Sequence, residues 1–151
     1  MSGGILFPTG VEKVLDDWTG LNFKWWLTTS AWTPDPQTST FASTITNELA
    51  GGGYARVATG GQTKTTTLPT NQFGTGGKIV YDATDPAFGI LAGAQVAAWL
   101  VLVRDSGADA TSQIVVAMPC QYTAGLGVAA TFVLPTTGAV SIGLTCPAGF
   151  Y

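Results

Sequence analysis

Three consecutive glycines, Gly51-Gly52-Gly53, constrain what this chain can fold into more than any other feature. Glycine loses more backbone freedom on ordering than any other residue, so a triple run is costly unless the fold needs conformations that side chains forbid. The run lies between Asn47-Glu48-Leu49-Ala50 and Tyr54-Ala55-Arg56-Val57, and the second of these reads as a strand. The segment predicts a sharp bend directly ahead of that strand, with Glu48 and Arg56 as a charged pair placed to pin it. Glu48, Gly51, Gly52, Gly53, Tyr54 and Arg56 together form a structural signature.

Strand and turn signals alternate through most of the chain. Residues 23–28 place Phe23, Trp25 and Leu27 on one face of a strand and Lys24, Trp26 and Thr28 on the other. Residues 33–40 are a polar loop broken by Pro34 and Pro36. Runs at 54–59 and 63–68 flank Gly60-Gly61-Gln62 and predict a hairpin. Gly74 to Gly77 turns the chain into a strand over 78–84, followed by a loop at 86–93. Residues 95–104 are apolar on both faces, as in a central strand covered on two sides. A turn at 105–109 leads to a partner strand over 112–118, and two further strands occupy 128–134 and 139–145.

The pattern predicts an all-β chain: a single antiparallel β-sandwich or barrel-like domain over residues 23–151, preceded by an N-terminal arm over residues 1–22. Within the arm, Ile5-Leu6-Phe7-Pro8 is an apolar anchor. Val11, Val14, Leu15 and Trp18 have the spacing of a short helix that Gly20 would end. The arm either packs on its own domain or reaches a neighbouring subunit.

Only 10% of the 151 residues are charged and 46% are apolar, against about 25% charged in ordinary soluble domains. Such a surface fits one covered by other copies or by a partner, with a neutral Thr-rich β-domain as the plainer alternative. The net charge is −3, and Lys13, Lys24, Arg56, Lys64, Lys78 and Arg104 are scattered. Binding to nucleic acid or to an anionic membrane needs grouped cations, so neither partner is expected. The N-terminus lacks the basic region of a signal peptide. The most apolar run, 96–103, is far shorter than the ~20 residues of a spanning helix. Synthesis in the cytoplasm is the expectation.

Candidate chemistry is sparse. The chain has no histidine, which removes Ser-His-Asp and Cys-His arrangements and histidine zinc sites. Cys120 and Cys146 are far apart in sequence, and both a disulfide and two buried thiols are open, the cytoplasmic start favouring thiols. Asp82 with Asp85, and Asp105 with Asp109, lack the run of oxygen ligands of a calcium loop and read as turn stabilisers. Gly74 to Gly77 precedes no helix and is no phosphate cradle. No catalytic, cofactor or metal residue is expected, and the chain reads as a non-enzyme. The tryptophans Trp18, Trp25, Trp26, Trp32 and Trp99 fit core or interface packing, or the stacking of sugar rings on exposed faces.

Several segments, in order, resemble small structural proteins of tailed bacteriophages. They are residues 27–35, residues 41–49, then Gly51-Gly52-Gly53-Tyr54-Ala55-Arg56, then Tyr81-Asp82-Ala83-Thr84-Asp85-Pro86, and last Val103-Arg104-Asp105-Ser106-Gly107 with Ser112. The likeness covers most of residues 23–118, with Val103 standing where the group usually has an aromatic. It implies a virion component, and most specifically a capsid decoration (cement) protein on the head surface. Its partners would be the major capsid protein and other copies of itself, in an oligomer such as a trimer. Ile5, Leu6, Phe7, Pro8, Trp18, Trp25 and Trp32 are the candidate interface residues. The alternative within the virion is a tail, neck or head-fibre component that contacts host glycans through exposed Trp.

Overall fold

The apolar run at 96–103 becomes the central strand of the largest sheet. The computed structural model describes residues 5–7, 18–20, 22–67, 78–93, 95–126, 129–131 and 140–142. Ten strands occur in these residues: β1 (Ile5–Leu6), β2 (Phe23–Thr28), β3 (Val57–Ala58), β4 (Thr63–Thr67), β5 (Lys78–Asp82), β6 (Ala87–Ile90), β7 (Val96–Arg104), β8 (Gln113–Thr123), β9 (Ala129–Thr131) and β10 (Val140–Ile142). They form a five-stranded sheet in the order β1-β8-β7-β2-β3, a three-stranded sheet β10-β5-β4 and a two-stranded sheet β6-β9. All pairings are antiparallel, and no sheet closes into a barrel among the described residues. The architecture is a small all-β, sandwich-like one. The one helical element described is a 3-10 turn at Ala42–Thr44.

Strand alternation sorts side chains into two cores on opposite faces of the large sheet. Phe23, Trp25 and Leu27 of β2 join Leu100, Leu102, Val116 and Met118, and they meet Tyr81, Phe88 and Leu91 from the smaller sheets and their loops. Trp26, Val101, Val103, Ile114 and Ala117 face the other way, where Phe7, Trp32, Ala42 and Ile45 cover them. A sheet covered on both faces must be apolar on both, which explains why Leu100 to Val103 are all fully buried. Each such side chain contributes ~1.5–3 kcal/mol relative to exposure. Two register shifts interrupt the β7–β8 ladder, and Pro119, which has no N–H to donate, sits at one of them opposite Trp99.

Several details differ from the sequence reading. The predicted hairpin of 54–59 with 63–68 does not form: β3 pairs with β2 and β4 with β5, so the two runs belong to different sheets. Gly60-Gly61 is a crossing between sheets, fixed by the Thr84 N–H donating to the Gly60 carbonyl (2.8 Å). The strand in 54–59 shrinks to Val57–Ala58, and the loop at 86–93 contains β6. Residues 5–7 are no free arm. Ile5 and Leu6 pair with Ala117 and Val116 of the same chain, and Phe7 is fully buried in the second core. Of the two placements open to the arm, residues 5–7 take the one on their own domain. Trp18, also in the expected arm, packs on Phe23 with ring centroids 4.6 Å apart. Pro8, residues 11–17 of the helix predicted over 11–18, the turn at 74–77 and Cys146 lie outside the described residues, and Trp18 itself lies in a turn.

Candidate functional site

The glycine signature builds a lock along the open edge of β2. β3 covers only the first part of that edge, opposite Lys24 and Trp25. Beyond it the backbone of 47–49 takes over: Thr28 bridges to Glu48, the Leu49 N–H donates to the Leu27 carbonyl (2.9 Å) and the Thr29 N–H donates to the Asn47 carbonyl (2.9 Å). One donor in the gap remains, the Leu27 N–H, and it donates to the Tyr54 hydroxyl at 3.0 Å. Buried backbone donors without partners are costly, so the tyrosine completes the ladder where no strand reaches.

For Tyr54 to return to this point, the chain must reverse within a few residues of Leu49. Gly51, Gly52 and Gly53 all have positive φ, at 70°, 61° and 84°. An L-residue costs ~1–2 kcal/mol at each such position. The turn closes with the Tyr54 N–H donating to the Gly51 carbonyl (3.0 Å), and the Gly52 carbonyl accepts the Ala92 N–H (2.9 Å). Gly52 has a second constraint: a Cβ there would lie 2.1 Å from the Ala92 carbonyl oxygen.

Arg56 then draws three segments together. Its Nε and Nη2 donate to the two carboxylate oxygens of Glu48 (2.9 and 2.8 Å). Its Nη1 and Nη2 donate to those of Asp109 (2.8 and 2.9 Å), in the turn between β7 and β8. The guanidinium lies 3.4 Å from the centre of the Trp26 ring, an arrangement that adds cation–π attraction. Glu48 Oε1 also accepts the Tyr54 hydroxyl proton (2.8 Å), and the Tyr54 ring stacks on Phe88 with centroids 5.8 Å apart. Charge-assisted, bidentate pairs of this kind are the strong class of hydrogen bond.

The groups of this constellation are held by one another. Burial pushes the Tyr54 phenol well above its ordinary range, so it is a fixed donor and no base at neutral pH. Hydrogen bonds to Glu48, and then to Asp109, hold Arg56 more firmly protonated than a free arginine. Four of the five guanidinium N–H groups are engaged within the chain, so the fork has little capacity left for an anionic ligand. The arrangement pins elements in place.

Of the carboxylates read as turn stabilisers, Asp82 and Asp105 accept from the backbone, and Asp35, which that reading did not include, does the same. Asp35 Oδ1 accepts the Gln37 N–H (2.9 Å), Asp82 Oδ1 the Ala83 N–H (2.9 Å) and Asp105 Oδ1 the Gly107 N–H (3.0 Å). Lys24, 2.6 Å from Asp105, together with that Gly107 N–H, holds the Asp105 carboxyl below its usual range. Asp109 differs: it serves Arg56, 53 positions away. Nothing local in the sequence announces that partnership. Among the described residues, no three His, Cys, Asp or Glu side chains gather as a metal cluster.

The candidate interface residues are mostly interior. Phe7, Trp18, Trp25 and Trp32, with Trp26, are each less than 5% exposed. Their large apolar area is spent on this chain's own two cores, so these tryptophans present no face on which a sugar could stack. Trp99 is half-buried against the second core. Ile5 and Leu6 supply backbone pairing to β8. Cys120 is a free, half-buried thiol, and burial pushes it up to about 12. No family model, curated protein or solved structure matches this chain.

Proposed function

We propose that this chain is a structural protein of a tailed-bacteriophage virion, and within it a capsid decoration (cement) protein that binds the assembled head and stabilises it. One observation carries the reading. Two of the segments that resemble the phage group, residues 41–49 and 51–56, meet in the β2 edge lock: Glu48, Tyr54 and Arg56 close on each other, and Arg56 also binds Asp109, within the turn between Ser106 and Ser112. In that turn the buried Ser112 hydroxyl donates to the Ala108 carbonyl (2.8 Å) and accepts the Ser106 N–H (3.1 Å). An architectural role for Glu48, Tyr54 and Arg56 supports the reading of a structural protein.

A protein that binds only the assembled, expanded shell stabilises it by mass action, in proportion to its concentration over its Kd. Its partners would be the major capsid protein and further copies of itself, on the outer surface of the head after synthesis in the host cytoplasm. A role in a tail, neck or head fibre that reads glycans through tryptophan draws no support from side chains buried this deeply. The test is co-sedimentation of the purified chain with heads that lack it. Saturable binding to expanded shells, with a raised temperature of shell disruption, is the expected result. Equal absence from the pellets of expanded and unexpanded shells would refute the proposal.

A further inference from the structure

The edge of a sheet presents unpaired N–H and C=O groups to any other strand, and a chain with few charges has few means of refusing one. Most edges among the described residues are short, interrupted or closed. β1 and β3 have two residues each, and β6 meets β9 in an irregular register. The part of β8 beyond β1 carries Pro119 and a register shift. The edge of β2 is closed by the Tyr54 lock.

β4 is different. It is the outer strand of the three-stranded sheet and pairs with β5 over five consecutive residues without a register shift. Among the described residues no strand pairs with its other edge. Four of its five residues are threonine, a β-branched type that favours extended backbone. Thr63, Lys64 and Thr65 are exposed. A regular, accessible edge of this composition is one on which a further strand could be laid.

One residue stands against that. Lys64 is the only charged residue from 57 to 77. It lies directly opposite Tyr81 in the β4–β5 register, so the two share a face of the sheet. Tyr81 is 1% exposed in the first core, which puts Lys64 on the core-facing side of the edge strand. Its Nζ lies 5.8 Å from the centre of the Tyr81 ring, within reach of cation–π attraction. The ring thus helps to keep the ammonium at the rim of the core, in water.

We propose that Lys64 is the guard of this edge and keeps the β4 strands of two copies from pairing. A strand added beyond β4 would set a side chain ~4.5–5.5 Å from Lys64 on the core-facing side and strip water from its ammonium. When that strand is β4 of a second copy, antiparallel overlap centred on Thr65 brings the two Lys64 side chains onto one diagonal, ~7–8 Å apart. Overlap centred on Lys64 sets them directly opposite. Both arrangements oppose like charges, and the registers that avoid this lose part of the five-residue ladder. The inference rests on the fold alone and is independent of any role on a phage head.

The test is sedimentation velocity of the full chain over a wide concentration range, with hydrogen exchange on the same samples. Lys64→Thr, which leaves a strand of five threonines, associates at least tenfold more tightly than wild type, and residues 63–67 gain protection. Lys64→Arg behaves as wild type. Lys64→Thr/Thr65→Lys returns a charge to the same edge on its other face and restores wild-type behaviour, which it would not do if lost packing on Tyr81 were the cause. Lys64→Gln keeps most of the side-chain length and reads the same edge if Lys64→Thr does not fold. The proposal is overturned if the folded Thr or Gln variant associates no more than wild type. It is equally overturned if Lys64→Arg associates as Lys64→Thr does, if Thr65→Lys gives no rescue, or if the added protection lies away from residues 63–67. A Lys64→Thr variant that stays as dispersed as wild type and still binds expanded shells would sink this inference and leave the proposed function standing.

Discussion

Replacing Gly52 and Gly51 by alanine, one at a time, tests why the chain needs adjacent glycines. At Gly51 (φ 70°) an added Cβ meets nothing within 4 Å. The cost is the left-handed backbone penalty alone, ~1–2 kcal/mol. Gly52 (φ 61°) carries the same penalty, but its Cβ would lie 2.1 Å from the Ala92 carbonyl oxygen and 2.8 Å from its carbon. Those are backbone atoms, so no rotamer change relieves the overlap. The 91–93 loop would have to retreat by about 1 Å to restore ordinary contact distances. That movement strains the bond from the Ala92 N–H to the Gly52 carbonyl, worth about 1 kcal/mol. It also disturbs the packing of buried Leu91, at an overpacking cost of ~1–3 kcal/mol. Gly52→Ala should therefore destabilise by ~3–6 kcal/mol in total, well beyond its neighbour. Urea unfolding followed by tryptophan fluorescence measures the gap. With an m-value of about 2 kcal/mol/M, the two midpoints separate by ~1 M or more. Coincident midpoints would show that the Ala92 loop yields freely and that the close approach is no constraint.

Three further perturbations probe the same architecture. Glu48→Gln disrupts the bidentate pair with Arg56 at a partly buried site and should cost ~2 kcal/mol, whereas Asp109→Asn, at the more exposed partner, should cost under ~1 kcal/mol; equal losses in chemical denaturation would contradict the ranking. Phe7→Ala should destabilise the isolated chain by ~3–4 kcal/mol because the ring is fully buried, and an unchanged thermal midpoint would return the N-terminal segment to the role of a free arm. Cys120, pushed up to about 12 by burial, stays a thiol in the folded chain at pH 8 to 9, so alkylation should be slow until denaturant is added. A thiol raised in this way favours the fold while it is protonated, and stability should fall as pH rises above the unfolded value of about 8.5; fast native alkylation at pH 8 would refute the burial argument.

The parts of this fold legible in the sequence are those where side-chain period and burial coincide. The split of Phe23, Trp25 and Leu27 from Trp26 needed only the alternation of a strand, and the doubly covered β7 needed only an unbroken apolar run. Partner choice was less legible. Thr63 to Thr67 is polar on both faces, so no hydrophobic pattern selected β5 over β3, and the glycines at 60–61 mark a hairpin turn and a sheet crossing equally well. β6 contains Gly89 at φ 75° and an irregular register, which erases the alternation that would have revealed it. Asp109 is linked to Arg56 by topology alone. An apolar terminal run such as Ile5 to Phe7 looks the same whether it packs at home or on a neighbour, because burial carries no record of which chain supplies it.

The most direct test of the central claim, that this chain works by covering a shell, is cryo-electron microscopy of the phage particle that carries it. The account predicts density for this β-fold in many copies on the outer surface of the expanded head, in contact with the major capsid protein. Density confined to the tail or fibres, or a particle complete without the chain, would contradict it.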